Sequence, residues 1–521
     1  MEQRRLILAL GLSLLALFLY QELVLRRYPG SHSRATTATT LPEQAAPTPQ
    51  PAPSVPSSDL AAPADEQAAI TVDTDVARLV ITPLGGRLLS LELKRFRQTV
   101  LAGSPPLELV KPGPILPLTL ALDDGSDARI SYHTDRASLT LHDGDRGEIV
   151  LVGQEGDTRV EKSYRFTGDG YVFDLEARLS GAHVPARVGV VLTPVVTDTV
   201  EAGRFGREVG IALANRHLTE KPLPDLLKQP LSFDAAAWAG FAAQYFVSVA
   251  LPSGGEAHSE MGAADGLPIV RVDQPLVAGR AAFAVFAGPK EHDVLTAAGH
   301  DLDRALDFGW FWFIAIPLLW ALRALHTVTG NYGVAIILLT AMIKLATTPL
   351  TRSTFRNMRE MQKIQPQMAK LRERYKDDQA TLQRELMELY KRHRVNPFSG
   401  CLPMILQLPI FVGLYNALLH AIELRHAPFV LWINDLSAPD RLMVAGIGIP
   451  VLTLLMGASM FAQQWLSPQQ GDPTQQRMMM FMPLVFTFMF INFPAGLVLY
   501  WLVNNVLTIG QQYGMTRSVK S

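Results

Sequence analysis

The sequence lacks several features that would point to an enzyme, a metalloprotein or a disulfide-stabilised secreted domain. Its 521 residues include one cysteine, Cys401, so no internal disulfide can form. No Cys and His residues have the spacing of a metal site, and no glycine-rich loop follows a strand to hold a phosphate. The formal net charge of -1 gives no sign of a nucleic-acid binder. We therefore expect no metal, no cofactor and no nucleic-acid specificity.

Acidic residues are also missing from the depth of the long apolar runs in the C-terminal part. One of these runs, Tyr332 to Leu350, nevertheless contains the cation Lys344. The run is long enough to cross a bilayer, which takes about 20 residues, and a charge at mid-bilayer costs about 2.5–3.5 kcal/mol. Without an internal carboxylate, the ammonium group must reach water or meet an acidic group on another molecule.

The N-terminal half divides into three parts by composition. Residues 1–28 join arginines to a short apolar run without a small-residue cleavage site, which favours an uncleaved transmembrane anchor over a signal peptide. Residues 29–68 are rich in Pro, Ala, Thr and Ser and have no periodic apolar face, which predicts a disordered linker. Residues 69–300 alternate apolar and polar residues between turn signals such as Gly85-Gly86, as in a large all-β sandwich.

The C-terminal part has the pattern of a helical membrane protein. Residues 301–330 are rich in Trp and Phe, which favours an amphipathic helix at the membrane interface over a span. Residues 331–515 hold about five hydrophobic segments, near 332–350, 401–422, 442–463, 478–491 and 496–509. The predicted fold is therefore a multi-pass α-helical membrane protein, with a five-span core plus the N-terminal anchor and a large exported all-β domain. Residues 516–521 form a short predicted tail.

A basic segment, 352–397, separates the first two segments of this core. Basic loops remain in the cytoplasm, which places the N-terminus inside and the β domain outside. Apolar residues recur at spacings of three or four on either side of a break at Lys376–Gln379, and this pattern predicts a helical hairpin. The hairpin either only links two spans or also receives partners, and the pattern leaves both alternatives open.

Polar residues form stripes on three of the predicted spans. Thr340 and Lys344 share a helix face with Thr347, Gln407 lies on the next span, and the last span carries Trp501, Asn504 and Asn505. The uncharged residues suit either a water-filled groove or interhelical hydrogen bonds, each worth about 0.6 kcal/mol. For Lys344 the alternative to a groove is snorkelling to the cytoplasmic surface, roughly 12 Å away along the helix.

Three motifs resemble the YidC-type membrane protein insertases of the YidC/Oxa/Alb family. They are NPFSGCLPMILQLPIFVGLY (396–415), PFVLWINDLS (428–437) and FPAGLVLYWLVNNVLTIGQQ (493–512). The order of anchor, exported domain and membrane core is similar to the long form of Gram-negative bacteria. The resemblance implies a non-enzymatic insertase and foldase that moves hydrophobic segments of nascent proteins into the inner membrane through a hydrophilic groove. It also implies a β-supersandwich for the exported domain.

The resemblance also implies roles for particular residues. Lys344 matches the groove cation, which is usually arginine in the family, and Gln407 matches a groove-lining position. Thr340 and Trp501 match substrate-contacting positions, and Trp432 would anchor the outer interface. With the polar stripe of the last span, the candidate groove residues are Lys344, Thr340, Gln407, Trp501, Asn504 and Asn505.

The implied partners are nascent membrane proteins, the lipid bilayer and the Sec translocon, with a ribosome or targeting receptor at the cytoplasmic hairpin. A secondary transporter that uses an intramembrane lysine is the alternative from another class. Such a transporter should have internal repeats and broken helices in corresponding halves, and the sequence contains neither.

Overall fold

The computed structural model describes residues 60, 69–123, 125–182, 184–195, 208–376, 378–393, 402–466 and 473–517. The anchor predicted for 1–28, nearly all of the linker 29–68 and the end of the tail lie outside the described residues. The chain divides into two units, one ending at Leu306 and the other beginning at Asp307. Each unit is described by itself.

The first unit consists almost entirely of β-strands, as the alternation of apolar and polar residues predicts. Its strands are β1 (Ile70–Asp73), β2 (Ala77–Thr82), β3 (Arg87–Arg97), β4 (Pro106–Glu108), β5 (Thr119–Leu122), β6 (Gly125–Ser126), β7 (Tyr132–His133), β8 (Ser138–Thr140), β9 (Arg146–Glu155), β10 (Thr158–Thr167), β11 (Val172–Ser180), β12 (Arg187–Leu192), β13 (Val209–Ala214), β14 (His217–Pro222), β15 (Leu231–Ala242), β16 (Phe246–Pro252), β17 (Ala257–Ala264), β18 (Leu267–Pro275) and β19 (Arg280–Pro289). Two short helices, α1 (Leu223–Leu226) and α2 (His292–Ala298), accompany them.

These strands form two sheets of unequal size. The smaller has five strands in the order β4-β3-β2-β1-β8. The larger has fourteen, in the order β6-β5-β12-β18-β17-β15-β16-β19-β11-β10-β9-β7, with β13 and β14 attached to β15. Gly85 and Gly86 form the predicted turn between β2 and β3, with φ values of +78° and +54° that favour glycine.

A buried polar cluster joins the two sheets. The Lys162 ammonium on β10 lies 2.6 Å from an Asp127 carboxylate oxygen and donates to the backbone carbonyls of Gly85 and Leu118 at 2.7 and 2.9 Å. The Tyr132 hydroxyl donates to the same carboxylate. Burial raises the pKa of Asp127 and lowers the pKa of Lys162, although the charge of each residue favours the ionised form of the other.

The second unit is helical. Its helices are α3 (Trp312–Thr329), α4 (Tyr332–Arg374), α5 (Gln379–Arg392), α6 (Leu402–His420), α7 (Val451–Leu466), α8 (Pro473–Phe490) and α9 (Ala495–Arg517), and its two strands are β20 (Leu442–Val444) and β21 (Ile447–Ile449). The Asn331 side chain begins α4 by accepting from the Val334 amide at 3.1 Å. Helix α4 packs along α3 and α9, α6 along α3, and α7 along α8 and α9.

Among the described residues, two helices are long and apolar enough to cross a membrane. They are α3 and residues 332–349 of α4, while α7 and residues 480–490 are apolar but shorter. The number of spans therefore stays a prediction. The interfacial position predicted for 301–330 also stays a prediction, because α3 satisfies the same test of length and apolarity.

The helical segment predicted for 442–463 is wrong in its first part. Residues 442–449 form the hairpin β20–β21, in which Val444 pairs with Ile447, and α7 begins only at Val451. The cause is the two-residue turn Ala445-Gly446, in which both residues have positive φ, at +49° and +83°. A short apolar run has no periodicity that separates a strand from a helix, so the sequence could not reveal this hairpin.

Helices α4 and α5 form a helical hairpin around the break at Lys376–Gln379. Helix α4 ends at Arg374, and Asp378 caps α5 by accepting from the Thr381 amide at 3.1 Å. Met361 and Ile364 of α4 pack against Leu389 of α5 in a small apolar cluster. Burial of these apolar side chains holds the two helices together.

Candidate functional site

Lys344 lies in the second half of the apolar part of α4, residues 332–349, and is half-buried. Its ammonium group has no hydrogen-bond or ion-pair partner among the residues that the structure describes. The neighbouring hydroxyls of Thr347 and Thr348 donate to carbonyls of their own helix, at 3.0 Å to Ile343 and 2.7 Å to Lys344. The cation is therefore neither paired nor fully enclosed.

The packing of α4 against α9 sets the position of Lys344 relative to α9. Ile336, Thr340, Lys344 and Thr348 are spaced by four residues and lie along one face of the helix. Ile336 lies against Gly496 at the start of α9, where a Cβ atom would come within 3.3 Å of it. Thr348 accepts a hydrogen bond from the Gln511 amide near the end of α9, at 2.9 Å. The two helices thus run parallel, and Lys344 lies between these two contacts.

Thr340 is not on an open surface. Its side chain is only 1% exposed, and its hydroxyl donates to the Ile336 carbonyl at 2.6 Å. Thr340 therefore contributes to the packing of α4 one turn from Lys344, rather than presenting a polar group to an incoming chain.

Gln407 and Trp501 come together where α6 meets α9. The Gln407 amide donates to the Tyr500 hydroxyl at 2.9 Å. The Trp501 ring contacts Phe411 edge to face, with ring centroids 4.7 Å apart, and Phe490 at 5.2 Å. Both Gln407 and Trp501 remain half-buried. They could therefore contact a segment that approaches from the open side of this pair of helices.

The two asparagines of the last span have different environments. Asn505 is buried and donates to the Ser459 hydroxyl of α7 at 3.0 Å, which is the interhelical hydrogen bond that the sequence left as an alternative. Asn504 is half-buried, and its backbone carbonyl accepts from the Thr508 hydroxyl at 2.6 Å. Of the two, only Asn504 has a side chain without a partner on another described helix.

The sequence reasoning missed Gln511, although a signal for it was present. Gln511 continues the stripe of Asn504 and Thr508 at the next helical spacing. Its amide nitrogen bonds to Thr348, while its carbonyl oxygen is buried and has no partner among the described residues. The part of the α4–α9 contact that follows Lys344 along α4 therefore contains a hydrogen bond and a buried acceptor.

Trp432 lies in the connection between α6 and α7 and has a structural partner. Its indole nitrogen donates to Asp440 at 2.7 Å, and the other Asp440 oxygen accepts from the amides of Leu452 and Thr453 in the first turn of α7. Asp440 therefore caps α7. The sequence did not reveal this cap, because the residue lies before the β20–β21 hairpin and far from the helix start.

Glu423 and His420, near the end of α6, could form an acid–base pair, but each already has a partner within the fold. Glu423 forms an ion pair with Arg323 of α3 at 2.5 Å, and the His420 ring bonds to the Asn416 carbonyl at 2.9 Å. Among the described residues, no three His, Cys, Asp or Glu side chains lie close enough to hold a metal ion. The geometry therefore suits a polar surface beside Lys344 rather than a catalytic pair.

Comparisons with known proteins show similarity over most of the chain. The model of the YidC periplasmic domain matches residues 69–321, and that of the 60Kd inner membrane protein matches residues 324–521. The membrane protein insertase YidC of Geobacter sulfurreducens is 41% identical over 465 residues, 86% of either chain, and that of Syntrophus aciditrophicus is 37% identical over 98% of either chain.

A crystal structure described as an active YidC insertase with the first transmembrane domain resolved covers 88% of this chain and 94% of its own, at 19% identity and a TM-score of 0.38. The family models together match nearly all of the chain from residue 69 onward. The resemblance that the three motifs indicated is thus confirmed, and the chain belongs to the YidC family of membrane protein insertases.

Proposed function

We propose that this chain inserts and folds hydrophobic segments of nascent proteins into the bacterial inner membrane, and that Lys344 supplies the positive charge of a hydrophilic groove. The segments come from the cytoplasmic side, and the chain acts alone or with the Sec translocon. Membership of the family supports insertion over the alternative of a secondary transporter. It also supports a function without enzymatic turnover.

The observation that carries the proposal is the half-buried ammonium of Lys344, which has no partner in the part of the chain that the structure describes. A charge in hydrocarbon is costly, so a lysine at this depth needs water or a counter-charge. Water drawn in by the cation lowers the cost of moving polar parts of a substrate past the apolar layer. Once its apolar segment reaches lipid, the hydrophobic effect drives the insertion to completion.

The other candidate residues divide into two groups in this mechanism. Gln407, Trp501 and Asn504 are half-buried and would contact the substrate near the cation. Thr340 and Asn505 are buried, and they would act indirectly by holding α4 and α9 in place. Trp432 would support the outer end of the groove through Asp440.

The membrane topology is part of the same proposal. We propose that residues 1–28 form an anchor, 29–68 a linker, 69–300 the periplasmic domain, 301–330 an interfacial helix, 331–515 a five-span core and 516–521 a short tail. The N-terminus would lie in the cytoplasm. The parallel course of α4 and α9 supports this topology, since both would enter the membrane from the periplasmic side.

The hairpin of α4 and α5 would be the cytoplasmic receiving surface, within residues 352–397. Nearly all of the charged side chains that the structure describes in this hairpin are exposed, and its apolar contact is internal. We propose that a ribosome or targeting receptor and the emerging segment meet this surface before the segment reaches Lys344.

The test is insertion by the purified full chain in proteoliposomes. A nascent membrane protein stalled on the ribosome would carry a photo-crosslinker, and protease protection would report insertion. We expect protection to depend on the chain, and crosslinks to form to the Trp501 region but not to Val506, an exposed residue of the same helix. Protection without such crosslinks would remove the groove from the mechanism, and no protection at all would contradict the function.

A further inference from the structure

The hairpin β20–β21 carries an exposed apolar tip that the packing of the helices does not use. Met443, Val444 and Ile447 are 65%, 48% and 69% exposed, and the turn residues Ala445 and Gly446 are exposed as well. The eight residues 442–449 include no charged and no hydrogen-bonding side chain. An isolated two-stranded hairpin is marginally stable in water, so this element needs support from outside the hairpin.

The base of the hairpin is fixed to the ends of the membrane helices. Arg441 donates to the Ile491 carbonyl and to the Asn492 side chain, both at 2.9 Å, in the turn between α8 and α9. Gly448 leaves room for the Arg441 side chain, since a Cβ atom there would lie 3.0 Å from it. The hairpin therefore stands at the level where α8 ends and α7 and α9 begin. In the topology proposed above, this level is the outer surface of the membrane.

We propose that the tip of this hairpin, residues 443–447, inserts into the lipid leaflet on the side where α6 ends and α7 begins, and rests at the boundary of headgroups and acyl chains. Leu454 and Leu455 in the first turns of α7, the helix that follows the hairpin, are also exposed and apolar. A lipid surface is therefore the occupant that fits an uncharged tip at this level.

The backbone sets the depth of insertion. Each strand of a two-stranded sheet has one edge whose amides and carbonyls have no partner in the sheet, and such groups are not tolerated in the hydrocarbon core. At the headgroup boundary, water and lipid esters can satisfy them while the side chains contact acyl chains. The tip thus acts as a shallow wedge and not as a spanning element.

The test uses the full chain with Cys401→Ser, so that a single introduced cysteine can carry an environment-sensitive nitrobenzoxadiazole dye. Ile447→Cys places the dye on the tip, and Glu256→Cys places it on an exposed turn between β16 and β17 as an aqueous reference. The proteins are reconstituted in vesicles of phosphatidylethanolamine and phosphatidylglycerol. Three sets of vesicles carry nitroxides at the headgroup, at a shallow acyl carbon or at a deep acyl carbon.

We expect the dye at residue 447 to emit at shorter wavelength than the reference and to lose most intensity with the shallow nitroxide. An emission like that of the reference would overturn the proposal. So would a blue-shifted emission that no lipid nitroxide quenches, because the tip would then be covered by protein, such as a second copy of the chain. Met443→Cys should give the same result as Ile447→Cys if the lipid contact belongs to the tip as a whole.

Discussion

Lys344 combines two properties that rarely occur together in a membrane helix, partial burial and a charge without a partner among the described residues. An acidic group on a substrate that reaches it would form a charge-assisted hydrogen bond, worth about 1.5–3 kcal/mol. We therefore predict that Lys344→Ala slows the insertion of substrates with acidic outer segments by at least about ten-fold. Neutral substrates should be affected much less. Protease protection in proteoliposomes measures both rates.

Two further substitutions at this position separate a groove from snorkelling. Lys344→Arg keeps the positive charge and should be nearly silent, whereas Lys344→Glu should fail unless the charge of the substrate is reversed. If Lys344→Ala reduces the insertion of acidic and neutral substrates equally, or of neither, the lysine only snorkels to the cytoplasmic surface.

Asn505 provides the contrasting case of a polar residue that acts within the fold. Its hydrogen bond to Ser459 joins α9 to α7 and is buried. We predict that Asn505→Ala lowers the free energy of unfolding by about 0.6–1.7 kcal/mol, with little change in insertion per folded molecule. Thermal unfolding in detergent and the insertion assay test the two halves of this prediction. A large loss of insertion with unchanged stability would instead return Asn505 to the groove.

At the scale of elements, the contact between α4 and α9 decides how an inserted segment can leave. A segment that leaves the groove between α4 and α9 meets two helices that pack directly and are joined by the hydrogen bond of Gln511 to Thr348. Release along this path therefore requires the contact to open.

The prediction concerns the chain with Thr348→Cys and Gln511→Cys, in the Cys401→Ser background. If segments leave between α4 and α9, bridging the cysteines with a short reducible crosslinker should stop insertion, and reduction should restore it. The matched control bridges Ser459→Cys and Asn505→Cys, which join α7 to α9, and should leave insertion unchanged. Normal insertion by the bridged α4–α9 variant would place the exit elsewhere, with the side of α6 as the next candidate.

The elements that the sequence predicted well are those with long periodic patterns. The alternation over 69–300 led to the all-β unit, and the spacing of Met361, Ile364 and Leu389 led to the helical hairpin of α4 and α5. The hairpin β20–β21 was missed because eight apolar residues fit a strand or a helix equally well. The partners of Thr348 and Asn505 were missed because each lies on another helix, and helix pairing is not encoded in local spacing.

At the scale of the whole molecule, the chain divides its tasks between two units. The second unit contains Lys344, Gln407, Trp501 and Asn504, the residues proposed to line the groove. The first unit contains its own buried ion pair of Asp127 and Lys162, and the lysine also bonds to the turn between β2 and β3 of the smaller sheet. A defect confined to the first unit should therefore affect stability and insertion differently.

The ion pair of Asp127 and Lys162 tests this division. We predict that Lys162→Met lowers the free energy of unfolding of the first unit by about 3–5 kcal/mol, because it leaves the Asp127 carboxylate buried without its cation. Adding Asp127→Asn should recover part of this loss, since the amide is neutral and its oxygen can still accept from the Leu120 amide. Proteolysis of the full chain in increasing urea measures the stability of this unit.

Insertion by Lys162→Met molecules that remain folded should equal that of the unaltered chain, unlike the selective loss expected for Lys344→Ala. If the double variant is as unstable as the single one, the buried charge is not the cause of the lost stability. If insertion of acidic substrates falls, the first unit takes part in the function of the groove.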